Sequence, residues 1–430
     1  MSDDKTTRRK FIKTTGAAAI GGTMISGFGI PAMGFGRNSD TLKVGLIGCG
    51  GRGTGAANQA LIADNNVVLW AMSDIFDDRI DESHKNLLKL HPDKVKVDKD
   101  RKFIGLDSYK KVLDSGVDVV ILTTPPYFRP TQFEAAIQAG KHVFSEKPMA
   151  VDAPGVRKIF EASRKAKEKQ LSVMSGFCWR FHTPKRETFQ HVLDGAIGDV
   201  MSVYNTYNTG GLWLRDVQPD WTPMRKKMKN WIYHNWISGD PIMEQFIHSI
   251  DMMSWAFGDV KPLSASGTGG RQSRIGPEYG NVFDHYAIVY EYENGAKGFH
   301  FSRQQKNCNN SYGLDMLGTD GRCVVDCPKN KHVITGKEDW KYRGSGNDMY
   351  QQEHDELFAS IRSGKPINHG EIMAQSTLIG LMGRMTAYTG QTITYEQALN
   401  SQEVFGPDVI DLEIDYPDAP VARPGITPFK

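Results

Sequence analysis

The stretch KVGLIGCGGRG, residues 43–53, decides the fold of the first part of the chain. Its apolar start predicts a buried strand, and the glycines after it follow the pattern G-x-G-x-x-G where a helix should begin. Glycines at this spacing let the backbone turn tightly and approach a pyrophosphate, while the helix amino terminus offers free N–H groups. The turn is therefore predicted to bind a dinucleotide through Gly48, Gly50, Gly51, Arg52 and Gly53.

An acidic residue, Asp74, closes the next strand-like run, VVLWAMSD, at about twenty residues after the last glycine. A carboxylate at this point can bind the ribose hydroxyls and would repel a 2′-phosphate, so the sequence favours NAD over NADP. A glycine-rich turn without a ligand and an unrelated surface aspartate is the alternative. The order of strand, turn, helix and acid argues against it.

The first residues of the chain resemble an export signal. Arg8 and Arg9 stand in TTRRKFIK, residues 6–13, ahead of the mildly apolar TTGAAAIGGTMISGFGIPAMG. This order resembles a twin-arginine signal, which exports folded proteins. A disordered basic tail or a membrane anchor is the alternative, but Gly, Thr, Ser and Pro interrupt the apolar stretch too often for a stable membrane span. We therefore predict a periplasmic protein without stable membrane insertion.

Short apolar runs alternate with helical stretches from residue 42 to about residue 180, which predicts a parallel sheet covered on both faces. Beyond that point, strand-like runs with Asn-Gly and Asp-Gly turns predict antiparallel pairing. The predicted fold class is α/β, with a doubly wound Rossmann domain and a second α+β domain on an open, largely antiparallel sheet. The predicted boundaries are 1–40 for the signal peptide and linker, 41–170 for the Rossmann domain, and 171–430 for the substrate-binding and oligomerisation domain, whose final helices should pack back on the Rossmann domain.

Composition excludes several classes of protein. Charged residues make up 24% of the 430, and the formal net charge is only +2, which argues against a nucleic-acid binder. Five cysteines show neither metal-ligand spacing nor a disulfide framework.

Several further motifs point to one family. VGLIGCGGRG, AMSD, TTPPYFRP, GKHVFSEKPMA and EQFIHSIDMMSWAFG together resemble the glucose–fructose oxidoreductase, inositol dehydrogenase and MocA family, from about residue 41 to the carboxyl-terminal region. GFCWRFHTPKRE and the late helical region resemble its exported, twin-arginine branch. The resemblance implies an NAD(P) enzyme that handles a pyranose or cyclitol, in which Lys147 contacts the substrate hydroxyl and the nicotinamide. It adds Thr124, Pro125, Glu146, Lys147 and Arg180 to the predicted cofactor-binding residues.

The segment EQFIHSID, residues 244–251, supplies the other candidate catalytic groups. On one predicted helix, Glu244 and His248 share a face and Asp251 lies on a neighbouring part of it. Carboxylates beside an imidazole can fix its tautomer and tune it as a base. The family usually carries Asp at this position, and the longer Glu244 moves the carboxylate. The same groups suit a metal, but no second histidine has metal spacing, so we predict none.

An aromatic region between residues 204 and 236 suggests sugar recognition, because aromatic faces stack on the C–H faces of pyranose rings. For any single residue here, ordinary core or subunit interface is the alternative. The predicted substrate-binding residues are Tyr207, Trp213, Arg215, Asp216, Trp236 and Asp251.

Two enzymatic functions and one binding function fit these features. The first is an exported oxidoreductase acting on a secondary hydroxyl, with C3 as a candidate carbon, of a sugar or glycoside, using a tightly bound cofactor that is recycled on the protein. The second is an NAD-dependent glycosidase that oxidises C3 transiently and eliminates the aglycone. The third is a non-catalytic periplasmic sugar-binding protein, against which the intact Gly48, Asp74, Lys147 and His248 argue. The resemblance further implies a homodimer or homotetramer.

Overall fold

The computed structural model describes residues 40–407 and 409–430. The predicted export signal, apart from Asp40, lies outside these residues. No helix among the described residues combines the length and apolar character needed to cross a bilayer.

Within the described residues, six parallel strands form the first sheet in the order β3-β2-β1-β4-β5-β6. The continuous apolar run VVIL explains why the central strand β4 is buried on both faces, and the neighbouring β5 is fully buried as well. These strands are β1 Leu42–Ile47, β2 Val67–Asp74, β3 Lys102–Ile104, β4 Val119–Leu122, β5 His142–Ser145 and β6 Val173–Ser175. The helices of this part are α1 Gly51–Ala63, α2 Asp77–Leu90, α3 Ser108–Asp114, α4 Arg129–Gln138 and α5 Ala153–Glu168.

The strand order reverses between β1 and β4, which are paired neighbours. Ligands of open parallel sheets bind at such a switch point, beyond the carboxyl ends of the strands. The predicted dinucleotide turn, which begins at Gly48, lies there because it directly follows β1.

The second sheet has nine strands within the described residues, in the order β14-β13-β12-β11-β7-β10-β9-β8-β15. Its pairs are antiparallel except for β7 with β10. Burial alternates along β9 and β10, so one face packs on helices and the other faces outward. The strands are β7 Val200–Thr209, β8 Ser264–Gly270, β9 His285–Glu291, β10 Lys297–Gln304, β11 Ser311–Gly318, β12 Arg322–Asp326, β13 Lys331–Thr335, β14 Trp340–Lys341 and β15 Ile393–Thr394. The predicted fold class is confirmed.

The helices of the second part connect the two sheets. They are α6 Thr183–Leu193, α7 Pro223–Lys229, α8 Asn235–Ser238, α9 Pro241–Glu244, α10 Ile247–Ala256, α11 Met349–Ser363, α12 Gly370–Thr389 and α13 Tyr395–Asn400. Although they come late in the chain, α11 packs against α1 and α12 packs against α5 and β8. The late helices therefore hold the second sheet on the first domain and position the groups between them.

Candidate active site

The glycine turn has the geometry that a dinucleotide requires. Gly48 has a φ of +96°, and a Cβ there would lie 2.8 Å from the backbone of Thr123 and Thr124. A Cβ on Gly53 would lie 2.0 Å from the Gly48 carbonyl oxygen, so this glycine allows α1 to pack on the turn. A Cβ on Gly50 or Gly51 would meet nothing within 4 Å. The open side of the turn thus leaves the space that a pyrophosphate needs.

Asp74 lies in the cleft beside this turn, a cavity of about 140 Å³ that Gly48, Gly50 and Pro125 also line. Its Oδ2 accepts a hydrogen bond from the Cys49 N–H at 2.7 Å, and its Oδ1 accepts one from the Phe76 N–H at 3.0 Å. Burial raises the pKa of Asp74, although these N–H groups act in the opposite direction. The carboxylate therefore both faces the nucleotide cleft and holds the turn that shapes it.

Residues of the second domain cover the other side of this cleft. Arg215, Met228, Lys229 and Trp231 line it opposite Phe76. The Lys229 Nζ lies 3.2 Å from the Asp78 Oδ2, and the Trp221 ring stacks on Phe76 with the centroids 5.4 Å apart. We call residues 211–231 the roof, because this segment closes over the cleft where a ribose would bind.

A second cavity, of about 280 Å³, adjoins the nucleotide cleft; Thr123, Thr124 and Trp231 line both. It contains all three predicted catalytic residues. Its lining consists of Arg52, Thr123, Thr124, Arg129, Glu146, Lys147, Gly176, Trp179, Tyr207, Trp231, Glu244, Gln245, His248 and Tyr350. We call it the substrate cavity.

Lys147 and Glu244 meet in the substrate cavity. The Lys147 Nζ donates a hydrogen bond to the Glu244 carbonyl oxygen and lies 3.6 Å from the Glu244 Oε1. Lys147 lies two residues after the carboxyl end of β5, and Glu244 ends α9 on the facing domain. A glutamate at this position therefore still reaches the lysine and holds its ammonium group in the cavity.

His248 lines the same cavity, with its ring stacked on Trp179 at 5.4 Å between centroids. Its Nδ1 is buried and has no hydrogen-bond partner among the described residues, so Nε2 is the nitrogen available to a substrate. Burial, followed by the charges of Lys147 and Arg52, lowers the pKa of His248 well below its ordinary value. The imidazole is therefore neutral at neutral pH, and its Nε2 can accept a hydrogen bond from a substrate hydroxyl.

Arg52 connects the glycine turn to the late helix α11. Its Nε donates to the Glu146 Oε1, and its Nη2 donates to the Glu353 Oε1 at 2.9 Å. Burial disfavours the charged form of Glu146, but Arg52 and Lys147 outweigh that effect and lower its pKa. Glu146 thus remains an anion next to Lys147, and it accepts a hydrogen bond from the Lys147 N–H at 3.1 Å.

The prediction of one helix through residues 244–251 was wrong. The N–H groups of Gln245 and Phe246 both donate to the Pro241 carbonyl oxygen, at 3.0 and 2.9 Å, and the helix breaks there into α9 and α10. One extra residue in this turn changes the relative direction of the side chains on its two sides. Glu244 and His248 nevertheless line one cavity, because the break lies on its wall.

Asp251 and Arg180 do not lie where the sequence placed them. The Arg180 Nε donates to both carboxylate oxygens of Asp251, at 3.0 and 2.9 Å, and its Nη2 donates to the Asp259 Oδ1 at 2.7 Å. Asp251 also accepts a hydrogen bond from the Ser376 hydroxyl at 2.7 Å. Neither residue lines either cavity. Their charges satisfy each other, so the predicted cofactor and substrate contacts are replaced by a structural ion pair.

The residues of the aromatic region that were predicted to bind substrate lie in different parts of the structure. Tyr207 lines the substrate cavity and stacks on Trp179 at 5.7 Å. Trp236 is only 2% exposed and packs in the core against Tyr127, so it is not a substrate contact. Trp213 and Asp216 lie exposed on the roof, outside both cavities, and Arg215 lines the nucleotide cleft instead.

Five residues that line the cavity were not predicted from the sequence: Thr123, Arg129, Gly176, Gln245 and Tyr350. Tyr350 reaches it from α11, far along the chain, and no local pattern marks this tyrosine. Gln245 sits in the helix break and could have been found only if the break itself had been predicted. Among the described residues, no group of three His, Cys, Asp or Glu side chains is arranged to hold a metal ion.

Comparison with known families gives two matches. Residues 42–177 match the GFO/IDH/MocA model described as an oxidoreductase family with an NAD-binding Rossmann fold, and residues 186–324 match the GFO/IDH/MocA C-terminal domain. Together the two matches span more than half of the 430 residues. The prediction of NAD as the cofactor is confirmed by this family.

Individual relatives are distant. The chain is 24% identical to myo-inositol 2-dehydrogenase of Thermotoga maritima, over 83% of this chain and 100% of the relative. It is 26% identical to 2,7-anhydro-N-acetylneuraminate hydratase of Escherichia coli, over 42% of this chain and 44% of the relative.

Among solved structures, a levoglucosan dehydrogenase in complex with NADH and levoglucosan superposes with a TM-score of 0.65 at 19% identity, covering 83% of this chain and 100% of the other. At that identity the likeness shows the fold alone. The glycine turn, the Rossmann sheet and both family matches agree, and the chain belongs to the GFO/IDH/MocA family of NAD-binding oxidoreductases.

Proposed function

We propose that this protein is an NAD-dependent dehydrogenase that oxidises and reduces a secondary hydroxyl of a sugar or glycoside. The observation that carries the proposal is the position of Lys147, Glu244 and His248 around one cavity that adjoins the nucleotide cleft. The names of relatives, which include an inositol dehydrogenase and a levoglucosan dehydrogenase, support a polyhydroxylated substrate.

Each catalytic side chain has a task in this reaction. NAD, when bound at the glycine turn, supplies the hydride acceptor. Lys147, held by the Glu244 carbonyl oxygen, donates a hydrogen bond to the reacting oxygen and stabilises negative charge that develops there. Neutral His248 accepts the hydroxyl proton at Nε2. Trp179 and Tyr207 form an aromatic wall that packs on the apolar face of a ring.

The experiment that tests this function is spectroscopic. Purified protein carrying its nucleotide is mixed with a panel of glycosides, and the absorbance band of the reduced nicotinamide is followed. A keto-sugar is then added, and the band should disappear as the hydride returns. A panel that produces neither change would refute the dehydrogenase.

An NAD-dependent glycosidase is the second candidate, and the relative named a hydratase favours keeping it in the test. In such an enzyme, transient oxidation acidifies the C2 proton, the aglycone leaves, water adds and the ketone is reduced again. Release of aglycone without net reduction of the nicotinamide would support this function. Reduction without aglycone release supports the dehydrogenase.

A further part of the proposal is that the protein is exported with its cofactor bound. The paired arginines, Arg8 and Arg9, support export, and the roof over the nucleotide cleft supports slow release of the cofactor. Because no free NAD pool exists outside the cytoplasm, the cofactor has to be reduced and reoxidised on the protein by two substrates in turn. Mass spectrometry of the denatured protein should find close to one NAD(H) per chain, and the double variant Arg8→Lys/Arg9→Lys should leave loaded protein in the cytoplasm.

We also propose that two or four copies associate through the outward face of the nine-stranded sheet. Tyr204 and Leu317 are each 50% exposed on this face, and the Tyr204 ring lies 5.5 Å from Phe301. Apolar side chains grouped in this way favour a covered surface. Sedimentation should show a dimer or tetramer, and Tyr204→Glu should shift it toward the monomer, while Tyr350→Phe, away from this face, should not.

A further inference from the structure

Gln245 lies in the helix break between α9 and α10 and lines the substrate cavity. Its side chain is the first in a row of three hydrogen-bonded residues, of which the other two are buried. Gln304, the last residue of β10, donates from its Nε2 to the Gln245 Oε1. Arg274 donates from its Nη2 to the Gln304 Oε1. Gln304 is 2% exposed and Arg274 is 4% exposed, so water does not compete for these bonds.

The order of donors and acceptors along this row is fixed by chemistry. A guanidinium group has only donors, so the Gln304 atom that faces Arg274 must be the amide oxygen. The other end of the Gln304 amide is then its NH₂ group, which requires an acceptor on Gln245. Arg274 is itself anchored, since its Nη1 donates to the Phe283 carbonyl oxygen at 2.6 Å, and the Gln304 N–H is bound to the Asp284 carbonyl oxygen at 2.8 Å.

The same reasoning decides what Gln245 presents to the cavity. Because its Oε1 is used by Gln304, its NH₂ group remains, and that group makes no hydrogen bond to any described residue. A donor on the cavity wall that has no protein partner is available to an acceptor on a bound molecule. We infer that Gln245 is a specificity-determining residue that reads a hydrogen-bond acceptor oxygen of the substrate, with its polarity set by Arg274 through Gln304.

This inference rests on the proposed function for the identity of the substrate as a pyranose derivative. It adds that one substrate oxygen, contacted at Gln245, acts as an acceptor rather than as a donor. A hydroxyl can do either, so the two cases differ only when the hydroxyl is replaced. Fluorine accepts weakly but cannot donate, and hydrogen does neither.

The first test measures binding rather than turnover. Methyl glucopyranoside and its monodeoxy and monodeoxyfluoro derivatives are titrated into the NAD-loaded protein, with the intrinsic tryptophan fluorescence, to which Trp179 and Trp231 of the cavity contribute, as the readout. At one ring position, the fluoro derivative should bind more tightly than the deoxy derivative, which should lose about 3- to 10-fold relative to the parent.

The variant Gln304→Glu should abolish this preference although residue 304 does not line the cavity. A buried carboxylate there accepts from Arg274 and also from Gln245, so the Gln245 amide turns and presents its oxygen. The fluoro derivative should then bind as weakly as the deoxy derivative. The variant Gln245→Glu, which leaves the buried pair intact, should have the same effect. Gln138→Glu, an exposed substitution of the same kind, is the control and should leave the wild-type ranking.

The second test does not depend on any substrate. In Gln245→Glu/Gln304→Glu, two carboxylates face each other, so the drop in Tm should exceed the sum of the two single drops. Additive Tm changes, or an unchanged fluoro and deoxy ranking in both single variants, would overturn the inference. If no pyranoside binds the wild-type protein, the proposed function fails, whereas the Tm comparison alone still decides whether the row of hydrogen bonds exists.

Discussion

The nucleotide cleft and the substrate cavity share three residues, but they are built in different ways. The cleft is shaped mainly by the backbone. At Gly48 and Gly53 a Cβ would clash with neighbouring backbone atoms, and Asp74 holds the turn by accepting hydrogen bonds from main-chain N–H groups. The cavity is shaped by side chains from both domains, such as Lys147, His248 and Tyr350. The glycine turn of the first site is therefore tied to a short stretch of sequence, whereas the second site depends on how the whole chain packs.

The strongest way to separate the two sites is to remove a catalytic group. Lys147→Ala removes the donor to the reacting oxygen and His248→Ala removes the proton acceptor, so each should lower turnover by about 10² to 10⁴. Bound NAD should be retained, because the glycine turn is unchanged. The double variant should lose less than the product of the single losses, since both groups serve one proton transfer. Full activity in both single variants would place the chemistry elsewhere.

A variant outside both sites should change stability alone. Asp251→Asn removes one of the two carboxylates that Arg180 contacts and leaves Asp259 in place, so the loss should be smaller than the cost of about 3–5 kcal/mol for a buried charge that loses its only partner. Urea unfolding should show this loss in the free energy of unfolding. NAD content and substrate KM should stay at the wild-type values; a selective rise in KM would return Asp251 to the substrate site.

The nucleotide cleft can be broken at the backbone. Gly53→Ala puts a methyl group against the Gly48 carbonyl oxygen, and overpacking of this kind costs about 1–3 kcal/mol or more. The purified protein should have a lower Tm and little nucleotide. Gly50→Ala, whose Cβ meets no protein atom, is the matched control for stability: compared in the nucleotide-free form, it should keep the wild-type Tm and lose affinity for NAD only. Equal nucleotide content in both variants and the wild type would contradict the open-sided turn.

Acid should weaken both domains through buried histidines. Burial lowers the pKa of His142, in β5, to about 4 and that of His300, in β10, to about 3, from an ordinary value near 6.5. Between these values the unfolded chain takes up protons that the folded protein does not. The contribution of these two histidines to stability is therefore constant above about pH 6.5 and falls below it, by about 1.4 kcal/mol per pH unit for each histidine. Urea unfolding at pH 7.5, 6.5 and 5.5 measures this slope.

His142→Asn, in the first domain, and His300→Asn, in the second, should each reduce that slope by close to the value that corresponds to one proton. A free energy of unfolding that does not change between pH 6.5 and 5.5 would show that these rings titrate normally in the folded protein.

The smallest effect is expected on the roof. Asp216 is exposed and lies outside both cavities, so Asp216→Ala should change the free energy of unfolding by no more than about 0.5 kcal/mol. Substrate KM should also be unchanged. A large rise in KM would mean that the roof bends inward over the sugar.

Local patterns predicted the fold class and NAD as the cofactor, because a strand, a glycine turn and an acid at fixed spacing must fold together. The same patterns failed where tertiary contacts decide. Arg180 and Asp251 look like free charged groups in the sequence, but each is the other's partner, and Trp236 is core although it stands among exposed aromatics. Gln245 gave no signal, because its role depends on Gln304 and Arg274 behind it.

The bond between Arg52 and Glu353 also bears on the order in which the protein is made. The two residues are 301 positions apart, so the partner of the glycine turn is synthesised only after most of the chain has been translated. A ribosome-bound chain that ends before α11 has the whole phosphate turn but lacks the helix that fixes Arg52 and supplies Tyr350 to the cavity. Complete assembly of the holoenzyme therefore follows translation of α11. A chain shortened before residue 353 should fail to hold its nucleotide, even though every residue of the Rossmann sheet is present.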